Sequence, residues 1–185
     1  MPASDARDDP VIQRLATVTE PQIRALAEVL IDCVEGGASV SFMHPLSIER
    51  AIAFWIAIAE DVARGDRALI AAVDASGIEG TVQLVLRPPE NQPHRADVAK
   101  MLMHRRARRR GLGEALLRAA EEVARDSGKS LLVLDTASGD AERLYVRMGW
   151  QLCGVIPGYA LLPRGGLCAT SYYYRVLGEN DRVND

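Results

Sequence analysis

Cysteine is scarce in this chain of 185 residues: Cys33, Cys153 and Cys168 are an odd number and lie far apart. That argues against a disulfide framework, which needs paired thiols, and against a zinc site, which needs clustered ones. His44, His94 and His104 have no ligand spacing either, so no metal is expected. Long apolar runs are missing. The most apolar stretch, Ala51 to Ala59, is too short to span a bilayer and runs into Glu60 and Asp61, so no membrane partner is expected. The opening MPASDARDDP lacks the basic-then-apolar profile of a secretory signal. A reduced, cytoplasmic setting is the simplest expectation.

What is present is ordinary in total and uneven in distribution. An apolar fraction of 48% and a charged fraction of 25% suit a soluble globular chain, and the length suits one domain with a real core. The net charge is −3, yet five arginines crowd into Arg105 to Arg110. The rest of the surface is therefore distinctly acidic, and such asymmetry suggests a local anion site. Residues 1–10 read as a disordered segment, 11–178 as the domain and 179–185 as a tail.

Periodicity divides that domain. Val11 to Val18 reads as a strand. Thr19-Glu20-Pro21 opens a helix with Ile23, Leu26, Ala27, Leu30 and Ile31 on one face, stopped by Gly36-Gly37. A second helix runs from Ser47 to about Gly65. Strands over Ala68 to Val73 and Gly80 to Leu86 flank the turn Asp74-Ala75-Ser76-Gly77. Ala96 to Met103 is a strand leading into the arginines, and Gly111 to Ser127 an amphipathic helix. Leu131 to Leu134 is apolar without alternation, which suits a strand covered on both faces. A brief helix over Asp140 to Met148 precedes strands around Trp150 to Val155 and Ala169 to Val176. Cys153 and Cys168 fall in those strands and read as buried packing residues.

The informative segment is the strand ending Met101-Leu102-Met103, the basic run, then Gly111-Leu112-Gly113 and a helix. The first-turn amides of a helix have no intrahelical partner, and the helix dipole adds positive potential there. Glycine lets a phosphate approach the backbone closely. The spacing is neither a dinucleotide fingerprint nor a P-loop. A solvated face or a nucleic-acid patch is the bland alternative for the arginines.

Arg108-x-x-Gly111-x-Gly113 resembles the acetyl-CoA signature of the GNAT acetyltransferase superfamily, Q/R-x-x-G-x-G/A. Ala141-x-x-Leu144-Tyr145-x-x-x-Gly149-Trp150 is similar to that family's later A-x-x-(apolar)-Y-x-x-x-G-F segment, with Trp for Phe. The Asn common three residues before this Ala is Ser138 here. Gly36-Gly-Ala-Ser-Val40, Arg95-Ala96, Leu134-Asp-Thr136 and Pro157-Gly-Tyr159 resemble, more narrowly, the tabtoxin-resistance acetyltransferases.

The resemblance implies an α/β fold: a mixed, mostly antiparallel central sheet, two splayed parallel strands in it, and flanking helices. It implies acetyl-CoA as cosubstrate. Coenzyme contacts would come from Met101, Leu102 and Met103, from Arg108, Arg109, Arg110, Gly111, Leu112, Gly113 and Glu114 around the pyrophosphate, and from Ser138, Ala141 and Tyr145. A neutral amine would attack the thioester directly, with a backbone amide near Met103 steadying the oxyanion and Tyr145 protonating the departing thiolate. Asp135, expected to be partly shielded, and Asp97 are the candidate bases, Asp135 being slightly favoured. Tyr159 either shapes a turn or walls the acceptor pocket. A small amine acceptor is expected, amino-acid-like and conceivably a toxin, with no nucleic-acid partner. Residues 36–45 and 157–166 look able to close over the acceptor, against the open groove of the alternative, a protein or peptide N-terminal acetyltransferase. A non-catalytic coenzyme-binding sensor is the other alternative. Monomer and homodimer both stay open, with Tyr172 to Tyr174 a candidate interface.

Overall fold

The computed structural model describes residues 10–137 and 139–178. The disordered segment and tail expected at the two ends therefore lie outside the described residues, Pro10 apart, and so does Ser138.

In chain order the elements are β1 (Val11–Leu15), α1 (Glu20–Glu35), α2 (Ile48–Ala63), β2 (Arg67–Asp74), β3 (Gly77–Val85), β4 (Arg95–Met103), a 3₁₀ turn (Arg105–Ala107), α3 (Leu112–Asp126), β5 (Leu131–Thr136), α4 (Gly139–Arg147), β6 (Gln151–Leu161) and β7 (Leu167–Val176). Local chemistry sets several boundaries. The Gln22 side chain accepts from the Thr19 amide at 2.8 Å, and Ser47 Oγ accepts from the Arg50 amide at the start of α2. Strand β6 continues to Leu161, six residues beyond the strand expected from sequence. The reason is that its pairing with β7 resumes at Ala160↔Cys168 and Leu161↔Leu167 after an irregular stretch that spans Pro157.

The strands form one seven-stranded sheet in the order β1-β2-β3-β4-β5-β7-β6, antiparallel throughout except for β4 and β5. On one face α1 and α2 cover Leu69, Ala71 and Leu102, with Leu26, Leu30 and Trp55 fully buried between them. On the other, α3 and α4 cover Ile70, Val82, Leu84, Ala96, Leu132 and Leu134. Leu116 and Leu117 of α3 are sealed at 0% exposure; truncating either to Ala would cost about 2–5 kcal/mol.

Two irregularities position the site. Parallel pairing of β4 and β5 stops at Asp97↔Val133. Beyond that rung β4 follows β3 to Met103, while β5 follows β7 to Thr136, so a cleft opens between them. In β4 the register passes from Ala99↔Gln83 to Leu102↔Thr81, so Lys100 and Met101 together oppose Val82. Lys100 takes φ 48° in this bulge.

Candidate active site

The basic run is used unevenly. The Asp32 carboxylate accepts from the Arg105 amide at 2.8 Å and from Arg105 Nε at 2.9 Å. Burial pushes Asp32 up, but these bonds and the nearby His104 bring it below its ordinary value. Glu79, buried in β3, holds Arg106 at 2.6 and 2.9 Å, and Arg110 lies 3.6 Å from Asp74. Three of the five arginines thus fasten the turn to α1 and the β2–β3 hairpin. Among the described residues Arg108 and Arg109 have no carboxylate partner and both are exposed. Arg108 Nε donates to the Met103 carbonyl at 3.4 Å.

The turn then enters α3 through two left-handed residues, Arg109 at φ 61° and Gly111 at φ 78°. The first helical hydrogen bond runs from Ala115 N–H to Gly111 O, so the amides of Leu112, Gly113 and Glu114 point outward as a set of donors. A Cβ on Gly111 would meet nothing within 4 Å, so the backbone there is open to close approach. Gly113 differs from the expectation that it admits phosphate. Its Cβ would sit 3.2 Å from Leu144 Cδ2 and 3.7 Å from Met101 Cε, so the glycine there lets α3 pack against α4. Leu112 is buried and Met101 packs against the α3-side core. Leu102 is buried among the α1–α2 side chains. The Glu114 side chain pairs with Arg118 and Arg147, while its backbone amide points outward. Ala141 is half-buried on α4.

At the cleft, Tyr145 of α4 is buried against Trp150 and Tyr173, with ring centroids 5.7 and 5.8 Å away. Its phenol has no hydrogen-bond partner among the described residues. Burial first, and the charge of Asp135 second, raise its pKa well above the ordinary phenol value. Asp135 alternates with the buried Leu132 and Leu134 and so projects from the α1–α2 face. Thr170 Oγ1 donates to it at 3.2 Å. Opposite it on β7 stands Tyr172, whose hydroxyl donates to Tyr159 at 2.8 Å. That bond, burial and the Asp135 charge push Tyr172 up to about 12. Asp135 itself is exposed, against the shielded carboxylate expected, because the end of β5 overhangs the open cleft.

Asp97 occupies the last β4–β5 rung, where Arg95 reaches it at 3.1 Å. Tyr159 lies within β6 and accepts the Tyr172 hydroxyl bond. The two flanking segments are bonded to each other and to α1. His44 N–H bonds the Pro163 carbonyl at 2.9 Å, Ser39 Oγ the Leu161 carbonyl at 3.3 Å, and an Arg164 guanidinium N–H the Glu35 carbonyl at 2.9 Å. Cys153 is exposed, on outer strand β6, and Cys168 on β7 is only half-buried, a correction to the packing role expected of both. The tyrosine run is engaged within the chain: Tyr173 is buried and Tyr174 bonds Gln151. Asp32 and Glu79 carried no sequence signal, because a carboxylate 27 or more residues away cannot be matched to an arginine by spacing.

Among the described residues no helix is long and apolar enough to cross a membrane, and no cluster of three or more His, Cys, Asp or Glu side chains is arranged to hold a metal. The fold is similar to that of a phosphinothricin acetyltransferase from Sinorhizobium meliloti in complex with acetyl-CoA (TM-score 0.76, 18% identity, 95% of this chain and 92% of that one). It is also similar to Salmonella typhimurium yncA with its cofactor acetyl-CoA (0.74, 17%, 96% and 99%). A ribosomal-protein-alanine N-acetyltransferase from Brucella melitensis shares it too (0.74, 21%, 90% and 99%). Residues 31–150, which hold the cleft, the glycine turn and Tyr145, match the sequence model of the Acetyltransferase (GNAT) family. The chain belongs to that family of acetyl-CoA-dependent acetyltransferases.

Proposed function

We propose that this enzyme acetylates the primary amine of a small, amino-acid-like molecule by direct attack on acetyl-CoA. The observation that carries the reading is Asp135. It stands at the end of a strand beside the cleft, with Thr170, Tyr172 and Tyr159 around it and Tyr145 within reach of its charge. The covered approach supports a small acceptor over a peptide chain, since residues 39–44 are bonded to the β6–β7 turn.

In this reading the outward amides at the start of α3, with Arg108 and Arg109, bind the coenzyme phosphates, flanked by Met101–Met103 and by Arg110 on its carboxylate tether. Ala141 lines the far side, and the resemblance assigns Ser138 a coenzyme contact as well. Asp135 accepts a proton from the bound ammonium, directly or through water, and the freed nitrogen attacks the thioester carbon. The C–N bond forms, the nitrogen's second proton passes to water in the cleft, and the C–S bond breaks. Tyr145 then gives its proton to the departing sulfur, and a backbone amide near Met103 steadies the oxyanion. A phenol of raised pKa is a reluctant acid. Burial is the larger cause and remains, but once Asp135 takes the amine proton the second cause, its charge, is gone and Tyr145 becomes a better acid. Proton return from Asp135 through solvent resets the site. Asp97, committed to Arg95, is the weaker base candidate.

The acceptor class fits detoxification of an amine-bearing toxin, as in the tabtoxin-resistance enzymes that the sequence resembles. The setting is cytoplasmic, and residues 11–178 act as a single unit. Of monomer and homodimer, the exposed Leu152, Val155 and Ile156 on outer strand β6 favour the dimer. The deciding experiment is a screen of amines with acetyl-CoA and free-thiol detection. Thiol release that depends on a small amino-acid-like amine, with its N-acetyl product seen by mass spectrometry, is expected. Coenzyme binding without release under any amine would instead favour a sensor.

A further inference from the structure

Lys100 has no role in the chemistry above, yet the chain goes to some trouble to place it. It occupies the β4 bulge with left-handed φ 48°, a conformation that costs a lysine backbone energy and is kept only where the surroundings enforce it. The residue it bonds is in the same condition: Lys100 Nζ donates to Ser41 Oγ at 2.9 Å, and Ser41 has φ 76°. Two strained residues, 59 apart in sequence, thus meet over the α1–α2 face of the sheet. Below the ammonium, at 5.8 Å, lies the ring of Phe54, itself edge-on to Phe42.

What this ammonium lacks is a counter-ion. Among the described residues no carboxylate is within ion-pair distance of it. Burial lowers its pKa; the Asp135 charge raises it, and Arg67 lowers it further. Asp135 is thus near enough to act on the ammonium, but in the proposed reaction its carboxylate is occupied by the incoming amine. A partly buried cation with a hydroxyl and an aromatic face beside it, facing a carboxylate across the acceptor opening, complements a small zwitterion. Asp135 meets the positive end and Lys100 the negative.

We propose that Lys100, supported by Ser41, binds a carboxylate on the acceptor and thereby selects amino-acid-like amines and orients them toward Asp135. This inference rests on the reading of the site as an amine acetyltransferase and adds the group that would define its substrate. The bulge explains why β4 supplies the residue: the extra backbone unit lets Ala99 and Lys100 both serve the face that regular alternation would give to one of them.

The test uses the full chain, saturating acetyl-CoA, and matched pairs of L-amino acids and their carboxamides, for wild type, Lys100→Gln and Lys100→Arg. Wild type is expected to favour acid over amide by roughly ten-fold or more in kcat/KM, the scale of one charge-assisted contact. In Lys100→Gln that preference should collapse, mostly through a higher KM for the acid, with coenzyme affinity by calorimetry unchanged. Lys100→Arg should restore part of it. A preference that survives in Lys100→Gln overturns the inference. So does a wild type that shows no preference, or one that acetylates only amines without a carboxylate, although either leaves the acetyltransferase reading standing. Failure of wild type to bind acetyl-CoA would overturn that reading and this inference together.

Discussion

Arg106 and Glu79 meet through three hydrogen-bond contacts of 2.6, 2.9 and 3.1 Å, joining the basic turn to strand β3. Glu79 is 1% exposed and Arg106 half exposed. Burial pushes Glu79 up, but Arg106 and Ser76 outweigh it and hold the carboxyl below its ordinary 4.5. A depressed pKa of this kind contributes stability above 4.5, lost as pH falls through the lower folded-state value.

Glu79→Gln is therefore expected to destabilise the fold by about 1–3 kcal/mol at pH 7, the solvent-facing side of Arg106 keeping it from the top of the range for broken buried pairs. Denaturant titrations should show the gap to wild type closing as the pH drops below 4.5 through the folded-state value. The same substitution should weaken acetyl-CoA binding, because the turn loses one of its anchors. A gap that is unchanged at low pH would mean that the pair contributes by packing alone.

The two glycines of the signature should separate. Gly111→Val forces a β-branched residue into φ 78°, at about 1–3 kcal/mol of strain, and fills the open space beside the backbone. Calorimetry is expected to show acetyl-CoA affinity falling roughly ten-fold or more, as charge-assisted contacts to the backbone are lost. Gly113→Val instead presses on Leu144, so its effect should appear as a melting-temperature loss worth about 1–3 kcal/mol of overpacking. Equal and purely binding-related losses for both would restore the phosphate role to Gly113.

Tyr145→Phe should leave stability nearly intact, since the ring stacking with Trp150 and Tyr173 persists and the hydroxyl has no partner to lose. Turnover is expected to drop by roughly 10²–10⁴-fold, the range for loss of a general acid, with little change in coenzyme affinity. Wild-type kcat in the variant would reduce Tyr145 to a core residue.

Asp135→Asn should lower kcat/KM strongly at pH 7 and recover part of it at pH 9. An alkyl amine with a pKa of about 10 is mostly protonated at neutrality, and solvent deprotonates more of it as pH rises. Asp97→Asn should matter less, because Asp97 is spoken for by Arg95 at 3.1 Å. A larger, pH-rescuable loss at Asp97 would exchange the two roles. Unchanged pH profiles in both would leave water in the cleft as the base.

Much of this protein is local enough to be written in the sequence. Periodicity located the four helices to within a few residues, because an amphipathic stripe and its caps are properties of consecutive residues. The glycine turn before α3 was legible for the same reason, and with Tyr145 at its own spacing it carried the family. Tertiary structure decided everything that depends on pairs distant in the chain. It chose which arginines are anchored, since Asp32, Asp74 and Glu79 reach them from other elements. Gly113 became a packing residue through Leu144, and Cys153 was left exposed because β6 has a neighbour on one side only. The β4 bulge brought Lys100 to Ser41. Spacing reports what neighbours along the chain can do together; which carboxylate faces which cation is fixed only when strand register and helix docking set the distances.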